Sequence, residues 1–261
     1  MKALHPPLAV LLLLAACDSA TTSGAADEIR IRMGAAPGSA AASPARAGAA
    51  AAGPLVLSGD NGELTITSLH VVVAEFQLDG DDDVNACQAE GGSDDCEDFE
   101  AGPLFVDLPL SGAITVSSGV VPPGTYDELE FEIEDLDDDE EDAAEAARIA
   151  TLFQQIRSEF ADWPRDASMR VEGSFRPMNG GVLGAPQPFT VYLEAEVEIE
   201  LELQPPLVVT ANDAGGDVNV TLDPQTVFRT GTQVVDLSRF NGQLVEWELE
   251  RGFRGDHSGH Q

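Results

Sequence analysis

Residues Phe189 to Leu203 constrain this chain more than any other stretch. Phe189, Val191, Leu193, Ala195, Val197, Ile199, Leu201 and Leu203 are apolar, and the positions between them read Thr190, Tyr192, Glu194, Glu196, Glu198, Glu200 and Glu202. Period-two alternation sends successive side chains to opposite faces, so this is a β-strand with one buried and one wet face. Extended, the run spans roughly 50 Å, which predicts a bend or a long sheet. Pro188 precedes it, and Pro205 and Pro206 are expected to stop it. Glutamates two apart on a strand face lie about 7 Å apart and repel by on the order of 0.6 kcal/mol per pair in water. Each larger apolar side chain buried on the other face returns about 1.5–3 kcal/mol. Burial wins, and the plainest reading of the ladder is a solvated sheet face.

The acidic outer face recurs. Leu129, Phe131 and Ile133 alternate with Glu128, Glu130, Glu132 and Glu134, and Val245, Trp247 and Leu249 alternate with Glu246, Glu248 and Glu250. Strands are also expected at Leu55–Leu57 and Leu64–Leu78, joined by the turn signal Asp60-Asn61-Gly62. The apolar parity of the second switches at Ser68, which predicts a bulge. Shorter strands follow at Leu104–Leu108, Ala113–Val116, Met169–Phe175, Leu207–Thr210, Val218–Leu222 and Val234–Leu237. Arg170, Glu172 and Arg176 lie on the polar side of one of them. Opposite charges across a ladder help a sheet, so this strand is expected beside the Glu194–Glu202 ladder. Between residues 137 and 163 the period changes: Ile149, Phe153, Ile156 and Phe160 form one helical face, after the acidic run Asp137–Asp142 and before Trp163-Pro164. The expected fold is mainly β: an antiparallel, immunoglobulin-like or prealbumin-like β-sandwich with one inserted α-helix at about 137–163.

The chain has 261 residues, with 47 acidic and 13 basic side chains and a formal net charge of −34. Such a surface repels nucleic acid and anionic headgroups, so no nucleic-acid partner is expected. Lys2 followed by the apolar Leu8–Leu14 reads as a signal peptide, too short to span as a mature helix. Leu14-Ala15-Ala16-Cys17 resembles a bacterial lipobox. That resemblance implies removal of residues 1–16, acylation of Cys17 and a cell-envelope location with the membrane as partner through this anchor. Asp18 resembles the inner-membrane retention signal of enteric bacteria, a rule that does not hold in all phyla, so inner and outer membrane both stay open. Residues 17–53 are expected as the lipidated cysteine and a flexible Ala/Gly/Ser linker, 54–253 as the sandwich and 254–261 as a disordered tail.

Gly62-Glu63-Leu64-Thr65-Ile66 leading to Val73-Ala74-Glu75, Val121-Pro122-Pro123-Gly124-Thr125-Tyr126, and Val220-Thr221-Leu222-Asp223-Pro224 ahead of Val227-Phe228-Arg229 are similar to passages of the envelope proteins grouped as domain of unknown function 4382. The resemblance covers residues 54–250. It implies a β-sandwich of prealbumin or carbohydrate-binding type and brings no catalytic residues across. The helical insertion and the cysteine-bearing loop have no counterpart in it.

With Cys17 assigned to lipid, Cys87 and Cys96 remain as an even pair in an oxidising compartment, and a disulfide between them is expected. In the same loop Asp79, Asp81, Asp83, Asn85 and Glu90 fall at offsets 1, 3, 5, 7 and 12, a spacing of hard oxygen donors that suits Ca²⁺. Val84 stands where an EF-hand loop requires glycine, and a solvated acidic loop is the alternative. His70 reads as a structural strand residue. His257 and His260 lack a third ligand. No nucleophile elbow, phosphate loop or zinc pattern occurs, so a non-enzymatic envelope protein is expected, a binding or structural module with Ca²⁺ stabilisation. A carbohydrate-binding module is the alternative and would need an exposed aromatic row. A hydrolase using acidic residues is a second alternative. It would need a cleft with two carboxylates and one raised pKa.

Overall fold

The computed structural model describes residues 28–35, 53–80, 100–136, 143–210, 216–249 and 252–259. In chain order the strands are β1 (Glu28–Ala35), β2 (Leu55–Gly59), β3 (Gly62–Val73), β4 (Glu75–Gly80), β5 (Glu100–Ala101), β6 (Leu104–Asp107), β7 (Ile114–Val120) and β8 (Gly124–Ile133). Helix α1 (Ala143–Glu159) follows, then β9 (Met169–Asn179), β10 (Val182–Leu183), β11 (Gln187–Glu194), β12 (Val197–Val209) and β13 (Gly216–Leu222). A short α2 (Pro224–Val227) is capped by Asp223, whose carboxylate accepts from the Gln225 amide. The chain closes with β14 (Arg229–Thr230), β15 (Gln233–Val234), a 3-10 turn at Leu237–Phe240, β16 (Leu244–Glu246) and β17 (Phe253–Gly259).

The strands make a mainly β, sandwich-type architecture. One sheet has the order β17-β13-β1-β7, a second β16-β11-β9-β3-β2 with β6 and β10 attached, and a third β12-β8-β4-β5. Pairing is antiparallel except for β1 with β13 and β11 with β16. One continuous apolar core joins the three sheets, from Ile31 and Val220 through Phe131 and Ile199 to Val71 and Val191.

The long alternating run bends where its length required it. It divides at Ala195 and Glu196, so that β11 serves one sheet and β12 another. Ser168 satisfies the backbone at the break: its hydroxyl donates to Leu193 O at 3.2 Å and accepts from the Ala195 amide at 2.9 Å. The 64–78 run divides in the same way at Ala74, and its expected irregularity is present between Ile66 and Ser68.

Four expectations are corrected. The linker expected over 17–53 contains β1, whose Ile29, Ile31 and Met33 are fully buried between β13 and β7. Its Arg30 and Arg32 point outward to Asp217. The tail expected to be disordered forms β17, held by backbone pairing to β13 and by His257 against the Pro205 carbonyl. Pro205 and Pro206 do not end the strand. They occupy a register shift between Glu202 and Leu207, where no amide is needed for the ladder. Finally, the arginine-bearing β9 lies between β3 and β11, and β12 pairs instead with β8.

Helix α1 covers a face. Along β3, Leu69, Val71 and Val73 enter the main core, so the intervening Val72 points the other way. Ile149, Phe153 and Ile156 of the helix, with Trp163 beyond it, close over Val72 and Tyr192 as a second apolar cluster.

Candidate functional site

Strand parity builds two polar constellations. The first is the outer face of β4, β8 and β12. Register places Glu198, Glu132 and Glu75 in one row, Glu200, Glu130 and Gln77 in the next, and Glu202, Glu128 and Asp79 in the third. Eight of nine adjacent positions are acidic, although like charges directly opposite destabilise a sheet. The strands accept this because the opposite faces of the same residues' neighbours, Leu129, Phe131, Ile133, Phe76 and Leu78, are buried.

Crowding of the carboxylates raises a pKa within this face. Glu130 is pushed up to about 7, first by a hydrogen bond shared with Glu198, then by burial and by the charges of Glu198, Asp79 and Glu200. Glu128 is also raised, by burial and then by Glu200, Asp79, Asp127 and Glu202. A carboxyl pair that shares a proton is what close like charges produce. The face therefore offers an open ladder of hard oxygen donors. Among the described residues no three His, Cys, Asp or Glu side chains converge into a preformed metal centre.

Of the residues expected to hold Ca²⁺, Asp79 is described. It ends the acidic face, opposite Glu128, and accepts from Gln77 Nε2 at 2.9 Å. Asp81, Asp83, Asn85 and Glu90 lie outside the described residues, as do Cys17, Cys87 and Cys96.

The second constellation lies beneath the end of α1. Asp107, His70, Arg170 and Tyr192 are register partners across β6, β3, β9 and β11. His70 is 7% exposed, stacks on Phe105 at 5.5 Å and packs against Phe160 at 4.7 Å. Burial lowers its pKa; Arg170 adds to this and Asp107, 3.7 Å away, opposes it. Arg170 binds Glu172 at 2.6 Å and lies 4.4 Å from the centre of the Phe160 ring. The Tyr192 hydroxyl sits near Arg170 and Asp162 without a well-formed hydrogen bond, and burial raises its pKa. His70, Arg170 and Tyr192 form a buried, aromatic-capped polar seam that ends at the exposed Asp107. In the sequence His70 stands between Leu69 and Val71 and Arg170 between Met169 and Val171, and only register joined the two.

The alternatives find less support in these positions. Trp163 is buried and donates through Nε1 to Ala167 O at 3.0 Å, Tyr126 and Tyr192 are buried, and Trp247 packs on Phe228. These aromatics form no exposed platform for a sugar. Glu130 has a raised pKa but lies, beside Glu198, on an open sheet face. Two hollows of the described surface, lined by Ala150, Gln154 and Ser158 and by Asn61, Thr230 and Asp236, contain neither residue.

No family model and no curated protein matches the chain. Among solved structures, MbnP from Methylosinus trichosporium is similar over 80% of this chain and 78% of its own, at 14% identity and a TM-score of 0.35. The likeness is distant.

Proposed function

We propose that the chain is a non-enzymatic, lipid-anchored module of the bacterial cell envelope, a structural or binding β-sandwich whose acidic outer face is stabilised by divalent cations, Ca²⁺ first. The observation that carries this reading is the division of chemistry between inside and outside. His70, Arg170, Trp163, Tyr126 and Tyr192 are committed to the interior, and the β4-β8-β12 face presents carboxylates. Hard oxygen donors suit Ca²⁺, and a cation that neutralises part of the ladder relieves its repulsion. The lipobox-like Leu14–Cys17 supports the anchor. Membership of the domain of unknown function 4382 family belongs to the same proposal. Two of its passages hold turns here: Val121–Tyr126 joins β7 to β8, and Val220–Pro224 leads from β13 into α2.

Thermal melting of the protein with Ca²⁺, with Mg²⁺, with NaCl of equal ionic strength and with chelator tests the cation reading. A cation bound only to the native state raises stability by about 2.7 kcal/mol at a hundredfold excess over its dissociation constant. A Ca²⁺-specific rise that is reduced in Glu130→Gln and Glu198→Gln supports the reading. Equal rises in all salts reduce the face to simple screening.

A further inference from the structure

We infer that the end of the sandwich bearing Val120, Pro122, Pro123 and Val208 is the surface that lies against the bilayer; the inference rests on the lipid anchor at Cys17 proposed above. The placement of β1 is the first argument. The chain joins the fold at Glu28, whose register partner is Val120. Eleven residue steps separate Cys17 from Glu28, a reach of at most about 40 Å even fully extended. A fold beginning at Pro54 would have allowed about 130 Å. Anchoring therefore draws one end of the molecule to the membrane.

The chemistry of that end is the second argument. Val120 is 72% exposed and Val208 59% exposed. Pro122 and Pro123 are exposed between β7 and β8. Val208 is the partner of Thr125, and Val209 of Gly124, so these residues share one rim. The rim is held in place by Tyr126, fully buried, whose hydroxyl donates to Pro122 O at 2.6 Å. Rigid apolar side chains at the tethered end suit the interfacial region of a bilayer. Charge selects the lipid class. Asp127 and Glu128 lie just above the rim. These groups oppose an anionic surface, so zwitterionic headgroups are the expected contact.

The test uses the full, acylated chain in vesicles of phosphatidylcholine brominated in its acyl chains, with tryptophan introduced at one exposed valine at a time. Val182, 70% exposed in the β9–β10 hairpin, is the control of equal exposure. Wild-type protein gives the background from Trp163 and Trp247. The expected result is strong quenching in Val120→Trp and Val208→Trp, and quenching at the wild-type level in Val182→Trp. An admixture of phosphatidylglycerol should weaken the first two signals. Intact mass and vesicle flotation, with Cys17→Ser as reference, report the anchor independently. Acylated, floating protein with equal quenching at all three positions, or greater quenching at 182, overturns the orientation and leaves the anchor standing. Protein without acyl mass on Cys17 overturns both.

Discussion

Removing β1 should cost this domain most or all of its stability. Ile29, Ile31 and Met33 are each 0% exposed, inserted between β13 on one side and β7 on the other. At about 1.5–3 kcal/mol for each buried side chain, the three contribute roughly 5–9 kcal/mol. Whole domains are stable by about 5–15 kcal/mol. Deletion also leaves β13 and β7 with exposed ladder edges, and unpaired backbone groups next to an apolar core favour aggregation. The comparison is between a chain starting at Glu28 and one starting at Gly53, unfolded in urea and followed by circular dichroism. Ile31→Ala in the longer chain provides a graded case, with an expected loss of about 2–5 kcal/mol. The shorter chain should unfold at a much lower urea midpoint or without cooperativity. The same midpoint in both chains would refute the reasoning, and residues 28–35 would then lie on the fold without supporting it.

Three further outcomes follow from the same contacts. Glu130 has its folded-state pKa raised to about 7 from an ordinary 4.5, so between those values the folded state holds more protons and stability falls as pH rises. Screening on an open face limits the effect to about 1 kcal/mol; Glu130→Gln should therefore match wild type at pH 5 in urea melts and exceed it at pH 8, and a difference of opposite sign would exclude the shared proton. Trp163→Ala should cost about 3–5 kcal/mol and loosen α1, because Trp163 fills the second apolar cluster and contacts Phe105 and Tyr192; hydrogen exchange that leaves helix protection unchanged would count against this. Tyr126→Phe removes the bond to Pro122 O and should cost about 1 kcal/mol, with the amides of the β7–β8 turn exchanging faster.

Elements whose signal is local were legible in the sequence. Strict alternation marked β8, β9, β11 and β12, and the parity switch at Ser68 marked the bulge. The 4-3-4 apolar spacing marked α1, though its described extent, Ala143–Glu159, is shorter than the expected 137–163. For β1 the sign was present in Glu28-Ile29-Arg30-Ile31-Arg32-Met33 but lay within Ala- and Gly-rich surroundings. For β17 there was none: Arg254-Gly255-Asp256-His257 has no apolar alternation, and the strand exists because β13 offers it an edge.

The sequence by itself determined the class of fold, the acidic outer faces, the helix and the lipobox-like start. Tertiary structure alone decided which strands meet. The glutamates of β12 face those of β8 instead of the arginines of β9, and His70 meets Arg170, because both follow from register. The physical reason is one of magnitude. Pairing is chosen by the burial of several apolar side chains per strand at about 1.5–3 kcal/mol each, whereas a solvated like-charge pair costs about 1 kcal/mol or less. The charged faces therefore go where the core takes them.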